Sequence, residues 1–125
     1  MNIEDFNIII DYFNAHWKFF NVKKLEELLD DDFSFKIIGE ENVYNKSQFI
    51  DLVNTKFFNS AIVISTKIYS FNISELKAIY DISQEHKDFT LRGTIIDLFK
   101  LVTTDGKRKI INVDRQRNCC IVENK

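Results

Sequence analysis

Residues 3 to 20 place Phe6, Ile9, Ile10, Phe13, Trp17 and Phe20 at helical spacing, and Ile8, Tyr12, His16 and Phe19 form a second row about 100° away. The polar strip left over is narrow, so this first helix is predicted to be covered on more than one side. Asn2 and Asp5 offer a capping-box-like start. Asn21 caps a short second helix through Val22, Leu25, Leu28 and Leu29, which ends in the acidic run Asp30 to Asp32. The period then switches to two, with Phe33, Phe35 and Ile37 alternating against Ser34 and Lys36, a strand closing at Gly39. After a short acidic loop, Asn45 and Gln48 repeat the capping-box spacing ahead of Phe49, Leu52, Val53, Lys56 and Phe57, a third amphipathic helix.

From Ala61 onward the pattern is of strands. Ile62, Ile64, Thr66 and Ile68 line one, and Leu76, Ala78, Tyr80 and Ile82 the next, with Asn72, Ser74 and Glu75 in the turn. Residues 88 to 103 form a third, with Leu91, Ile95, Asp97, Phe99 and Leu101 in one row. Asp105-Gly106 is a hairpin signal before a last strand of about ten residues from Lys109. Helices ahead of an antiparallel meander predict an α+β fold, the N-terminal helices packed on a strongly curved, mostly antiparallel sheet.

Composition narrows the function classes. A chain of 125 residues, 45% hydrophobic, is one domain's worth, residues 1 to 125, with enough apolar side chain for one core. Lys plus Arg at 17 against Asp plus Glu at 19 gives a net charge of -2, so bulk charge offers nucleic acid or an anionic membrane no attraction. The basic strand holding Lys107, Arg108, Lys109, Arg115 and Arg117 lacks interleaved aromatics, and is expected to be a solvated face or a subunit contact. With no proline and three glycines, Gly-rich phosphate loops are excluded. No apolar run is long enough for a membrane span and no secretory leader is recognisable, so a cytoplasmic location is expected. Adjacent Cys119 and Cys120 read as free thiols in a reducing compartment, not as a zinc site. No metal or cofactor is implied, and Asp30 to Asp32 lack the alternating ligands of a calcium loop.

The order of these elements, the run from Asn21 to Leu29 into Asp31-Asp32-Phe33, the Tyr44-Asn45-Lys46 approach to the third helix, and Gly93-Thr94-Ile95-Ile96-Asp97-Leu98-Phe99 followed by Asp105-Gly106-Lys107 resemble the nuclear transport factor 2-like superfamily. The likeness is to its SnoaL-like and ketosteroid-isomerase-like branch, and it covers almost the whole chain. It implies a cone-shaped α+β barrel around an apolar pocket, and a homodimer. Steroid isomerases of that superfamily use a carboxylate base, a tyrosine and a second carboxylic acid. Spacing from Asp31-Asp32 lays the base on Ile37 and the tyrosine on Phe13, and only the second acid has a counterpart, Asp97. The resemblance therefore implies the scaffold and not that reaction.

Asp97 is the most informative polar residue, because its row is otherwise apolar. It is either a neutral acid donating to a ligand oxygen, the role that the resemblance to the steroid isomerases implies, or the partner of Arg115 or a nearby hydroxyl, unless a bulge turns it outward. His16 and Tyr12, one helical turn apart, are acid, base or orienting donor if they face the pocket, and packing or dimer contacts if they do not. The expected lining is Phe13, Trp17, Phe35, Ile37, Tyr80, Ile95 and Phe99, around a small, mainly apolar ligand. Tyr80 has the alternative of a core aromatic with a satisfied hydroxyl. Two function classes remain: a pocket with cofactor-free acid-base chemistry resting on Asp97, His16 and Tyr12, and a non-enzymatic dimeric association or ligand-binding module. Twelve Phe residues can fill a cavity as readily as line one.

Overall fold

The computed structural model describes the backbone of residues 3–18, 20–58, 62–72, 76–85 and 88–124, and side chains throughout except at 56–58, 62–72, 84, 91 and 118–122. Helix α1 (Ile3–Phe13) runs on as a wider π segment, Asn14–Lys18. Both apolar rows are used: Ile8, Ile9, Tyr12 and Phe13 are buried, and so are Ala15, His16 and Trp17 in the π segment. Phe19 lies outside the described residues. Asn2, the other half of the expected capping box, lies outside the described residues, and Asp5 is a buried partner of Arg108, whose Nε donates to Oδ1 at 3.0 Å.

Helix α2 (Val22–Leu28) starts where Asn21 accepts a hydrogen bond from Lys24 N at 3.1 Å. The acidic run belongs to strand β1 (Leu29–Ile37), which begins four residues earlier than the alternation alone suggests. Asp30 starts it inward, its carboxylate taken up by Thr104 Oγ1 at 2.7 Å and Asp32 N at 3.0 Å. Residues expected to form only a loop contribute the short strand β2 (Val43–Asn45). Helix α3 (Lys46–Leu52) opens on the full capping box of Asn45 and Gln48 and continues as a π segment, Val53–Phe58. Four strands follow: β3 (Ile62–Asn72), β4 (Lys77–Glu85), β5 (Phe89–Thr104) and β6 (Lys107–Asn124). Ser74 and Glu75 of the expected β3–β4 turn lie outside the described residues.

One sheet in the order β2-β1-β6-β5-β4-β3 holds all six strands, antiparallel except for the β1–β6 pair. β6 is far longer than ten residues because it must pair β5 along its length while also receiving β1 on its other edge. Irregularities at Arg92/Gly93 and Lys100/Leu101 break the β5–β6 register, as bends in a curved sheet do. The helices cover one face, and the core between the layers runs from Leu25 and Leu29 through Phe33, Phe35 and Phe49 to Ile95 and Val113.

At the β5–β6 hairpin, Asp105 and Gly106 both have positive φ, 53° and 76°, the two-residue turn that matches strand twist. A Gly106→Ala substitution meets no neighbouring atom but keeps the left-handed backbone. It should lower unfolding stability by about 1 kcal/mol in chemical denaturation. An unchanged midpoint would show that the turn does not hold this conformation.

Candidate functional site

Register brings the polar groups together. In the β4–β5–β6 sheet Asp97 stands opposite Arg115 on one side and Ala78 on the other, and Ile95 stands opposite Tyr80. The period of two that keeps Ile95, Asp97 and Phe99 on the helix-covered face of β5 does the same for Val113 and Arg115 on β6. Arg115 therefore leaves the solvated basic face expected for it and enters the core, 2% exposed. Its basic neighbours stay outside: Arg117, half-exposed, pairs with Glu40, and Arg108 with Asp5.

The ion pair is two-pronged. Arg115 Nε donates to Asp97 Oδ1 at 2.8 Å and Nη2 to Oδ2 at 3.1 Å. Tyr80 donates its hydroxyl proton to Oδ2 at 2.6 Å, and the same hydroxyl accepts from Trp17 Nε1 at 2.9 Å and Arg115 Nη2 at 3.2 Å. With both oxygens used as acceptors, Asp97 is a carboxylate paired with Arg115 and a hydroxyl, and not a free acid pointing at a ligand. The guanidinium also lies over the rings of Trp17 and Phe35, 5.2 and 5.0 Å from their centroids.

His16 completes the ring of contacts from the helix layer. Its Nε2 lies 3.0 Å from Arg115 Nη2, and since a guanidinium only donates, Nε2 accepts and the neutral ring keeps its proton on Nδ1. The imidazole stacks on Trp17 at 4.2 Å. Burial, and then the adjacent Arg115, hold His16 well below the usual imidazole range. Burial pulls the Arg115 guanidinium down, but Asp97, with Tyr80 and Tyr12, more than offsets it, so Arg115 is held above its ordinary value. Burial raises the phenols of Tyr80 and Tyr12, against the opposing pull of Arg115.

Tyr12 sits beside this network with its ring edge-on to His16 at 5.6 Å and to Phe99 at 5.4 Å, and stacked on Phe49 at 6.2 Å. Its hydroxyl is buried and makes no hydrogen bond. Phe13 packs edge-on against Tyr80 at 5.2 Å. Of the ten candidate residues, nine are thus buried in one cluster. The tenth, Ile37, is half-buried at the end of β1 and only borders the core. Leu91, placed in the same row as Asp97, has a side chain outside those described.

The polar members, Tyr12, His16, Trp17, Tyr80, Asp97 and Arg115, are each no more than 2% exposed, so no water-sized space adjoins them. A groove of about 620 Å3 opens elsewhere, between α2 and the start of α3, lined among others by Glu26, Asp31, Lys46 and Asp51. None of the candidate residues lines it. Among the described residues no three His, Cys, Asp or Glu side chains converge as metal ligands would.

A scan against protein-family models finds no match to the chain, and a search of curated proteins finds none either. Solved structures do match. An NTF2-like protein from Burkholderia thailandensis superposes with a TM-score of 0.71 at 9% identity, covering 94% of this chain and 92% of that one. A Mycobacterium tuberculosis LEH-like epoxide hydrolase gives 0.71 at 12% identity over 91% and 78% of the two chains. A hexachlorocyclohexane dehydrochlorinase, LinA type 2, gives 0.69 at 14% identity over 96% and 86%. At these identities the likeness is one of fold.

Removing either ion-pair partner strands the other charge in the core, so Asp97→Asn and Arg115→Met should each destabilise by about 3–5 kcal/mol. An Asp97→Leu/Arg115→Met double variant should lose much less than the sum of the two, read from denaturation midpoints. Additive losses would mean that the two side chains do not pair. For His16 the folded chain refuses a proton that the unfolded chain accepts below about pH 6.5. Stability should therefore fall on acidification below that pH, by at most about 1.4 kcal/mol per pH unit from this group. His16→Gln should flatten that part of the profile, and an unaltered slope would place the imidazole in water.

Proposed function

We propose that this chain, which has the nuclear transport factor 2-like fold, is a small-molecule-binding protein whose cone takes a mainly apolar ligand. The observation that carries this reading is the Tyr12 hydroxyl, buried beside a charged network and without a partner. A hydroxyl left unpaired in a core costs about 1–3 kcal/mol, and a Phe would fill the same space without that penalty. Its neighbours support an apolar guest, since Phe49 and Phe99, in ring contact with Tyr12, supply an apolar wall beside it. The expected homodimer, a cytoplasmic location and a single domain over residues 1 to 125 are parts of the same proposal.

Binding without catalysis is the form that the geometry favours. His16 spends Nε2 on Arg115 and resists protonation, which makes it a poor base, and Asp97 is committed to Arg115 and Tyr80. Both phenols are held protonated, so they donate hydrogen bonds but do not shuttle protons at neutral pH. The cone is closed around the network, and a guest would enter as a wall side chain shifts. That closure also favours a second reading, an association module whose interior is filled by its own side chains.

Trp17 is the sole tryptophan and lies in the cone, so its fluorescence reports occupancy directly. Titration with 2-acetylnaphthalene should quench or shift it saturably. Tyr12→Phe should raise the melting temperature yet weaken that binding by about 2–10-fold, the worth of one net hydrogen bond. A silent Trp17 at every probe concentration would leave the association module, for which sedimentation at twice 14.8 kDa is the expected result.

A further inference from the structure

His16 is buried in the π segment that ends the first helix, where its surroundings leave no place for a second proton. On the sheet side its Nε2 faces Arg115 Nη2 of β6 at 3.0 Å. The carboxylate that could balance a new cation, Asp97 of β5, already accepts from Arg115 through both oxygens and from Tyr80 of β4 through Oδ2. From α1 and α3 the imidazole meets the rings of Tyr12 and Phe49, and Trp17 stacks on it. Tyr12 and Tyr80, held protonated by burial, supply no counter-anion. Helix α2, which packs on the same segment, turns Leu25 inward, leaves Lys23, Glu26 and Glu27 in solvent and pairs Lys24 with Asp11. The side chains of β3, also in contact with the segment, lie outside those described. An imidazolium at this position would set two cationic N–H donors against each other in the core.

The two sides of the contact are not equally held. Arg115 sits on β6, which β1 and β5 pair on both edges, and is fixed by Asp97. The π segment lies at a helix end and reaches the sheet through side chains, His16 to Arg115 and Trp17 Nε1 to the Tyr80 hydroxyl at 2.9 Å. At the other end of α1, Asp5 is anchored to Arg108 at 3.0 Å, a pair that contains no histidine. We infer that His16 and Arg115 form an acid-released latch: in mildly acidic solution the C-terminal half of α1 and its π segment swing off the sheet, hinged at Asp5–Arg108, while the six-stranded sheet persists. Any conformation that wets His16 takes up a proton near pH 6.5, and the closed one does not. The open population therefore gains up to about tenfold per pH unit below that value. This gain is the same for every conformation that wets the imidazole, so the first to be populated is the one that breaks least structure, the helix end and not the sheet. Carboxylates ordinarily titrate near pH 4, and the Asp32 amide and Thr104 hold Asp30 lower, so the window from about pH 6.5 to 4.5 belongs to histidine. His86, the other histidine, lies outside the described residues, and a His16 variant separates the two. The latch needs no ligand, so it stands or falls apart from the binding reading.

Segment-resolved hydrogen exchange on the intact protein between pH 7.5 and 4.5, corrected for the intrinsic rate at each pH, reads the latch directly. Amides of residues 8–18 should lose at least about tenfold in protection by pH 4.5, while those of residues 95–101 and 110–115 keep theirs. Trp17 emission should shift to the red over the same range. In His16→Gln, whose amide oxygen accepts from Arg115 and does not titrate, both changes should vanish. Unchanged protection of residues 8–18 down to pH 4.5 overturns the latch, and so does a loss shared equally by that segment and the sheet. A His16→Gln profile like that of the wild type overturns it as well. Should His16→Gln not fold, the wild-type exchange pattern alone decides.

Discussion

The two-pronged contact between Asp97 and Arg115 is the constraint on which the rest of the interior depends. Neither charge is tolerable in the core without the other, and the sheet places them opposite each other across the β5–β6 ladder. Once paired, they fix the remaining polar groups. Tyr80 must turn its hydroxyl to Oδ2, Trp17 must meet that hydroxyl with its indole N–H, and His16 must present a lone pair to the guanidinium. The helix layer and the sheet are thereby joined by hydrogen bonds as well as by apolar contact. Such a network specifies one arrangement of the two layers, which a core of Phe and Ile alone would leave looser.

Much of the fold was legible along the chain because its signals are local. The capping box at Asn45 and Gln48, the cap at Asn21, the hairpin at Asp105-Gly106 and the period of two in β5 are each decided within a few residues. What escaped is set by partners distant in sequence. β2 exists only because β1 offers it an edge, and β6 extends to match β5. The acidic run enters β1 because Thr104 receives Asp30.

The candidate site divides in the same way. The row holding Ile95, Asp97 and Phe99 was readable, and it faces inward as its period requires. Tyr12 and His16 were readable as a helical row, though whether that row faced the sheet was not, since two apolar rows competed. Arg115 was the hardest residue to place. Its composition group, a strongly basic strand, pointed to solvent, while its position two residues after Val113 pointed to the core. Alternation was the better guide, because an arginine can enter a core where a carboxylate stands across from it. The steroid-isomerase pattern is absent at Ile37 and Phe13. In its place stands a charge-balanced network of Asp97, Arg115, Tyr80 and His16, with the Tyr12 phenol one position from Phe13.

A high-resolution crystal structure of the purified protein is the most direct test of this account, because it reads the network and the Tyr12 hydroxyl together. The account predicts that Asp97 and Arg115 remain paired inside the cone, and that electron density from a small molecule lies within hydrogen-bonding distance of the Tyr12 hydroxyl. A Tyr12 hydroxyl bonded to a protein group, or Arg115 turned out to solvent, would contradict it.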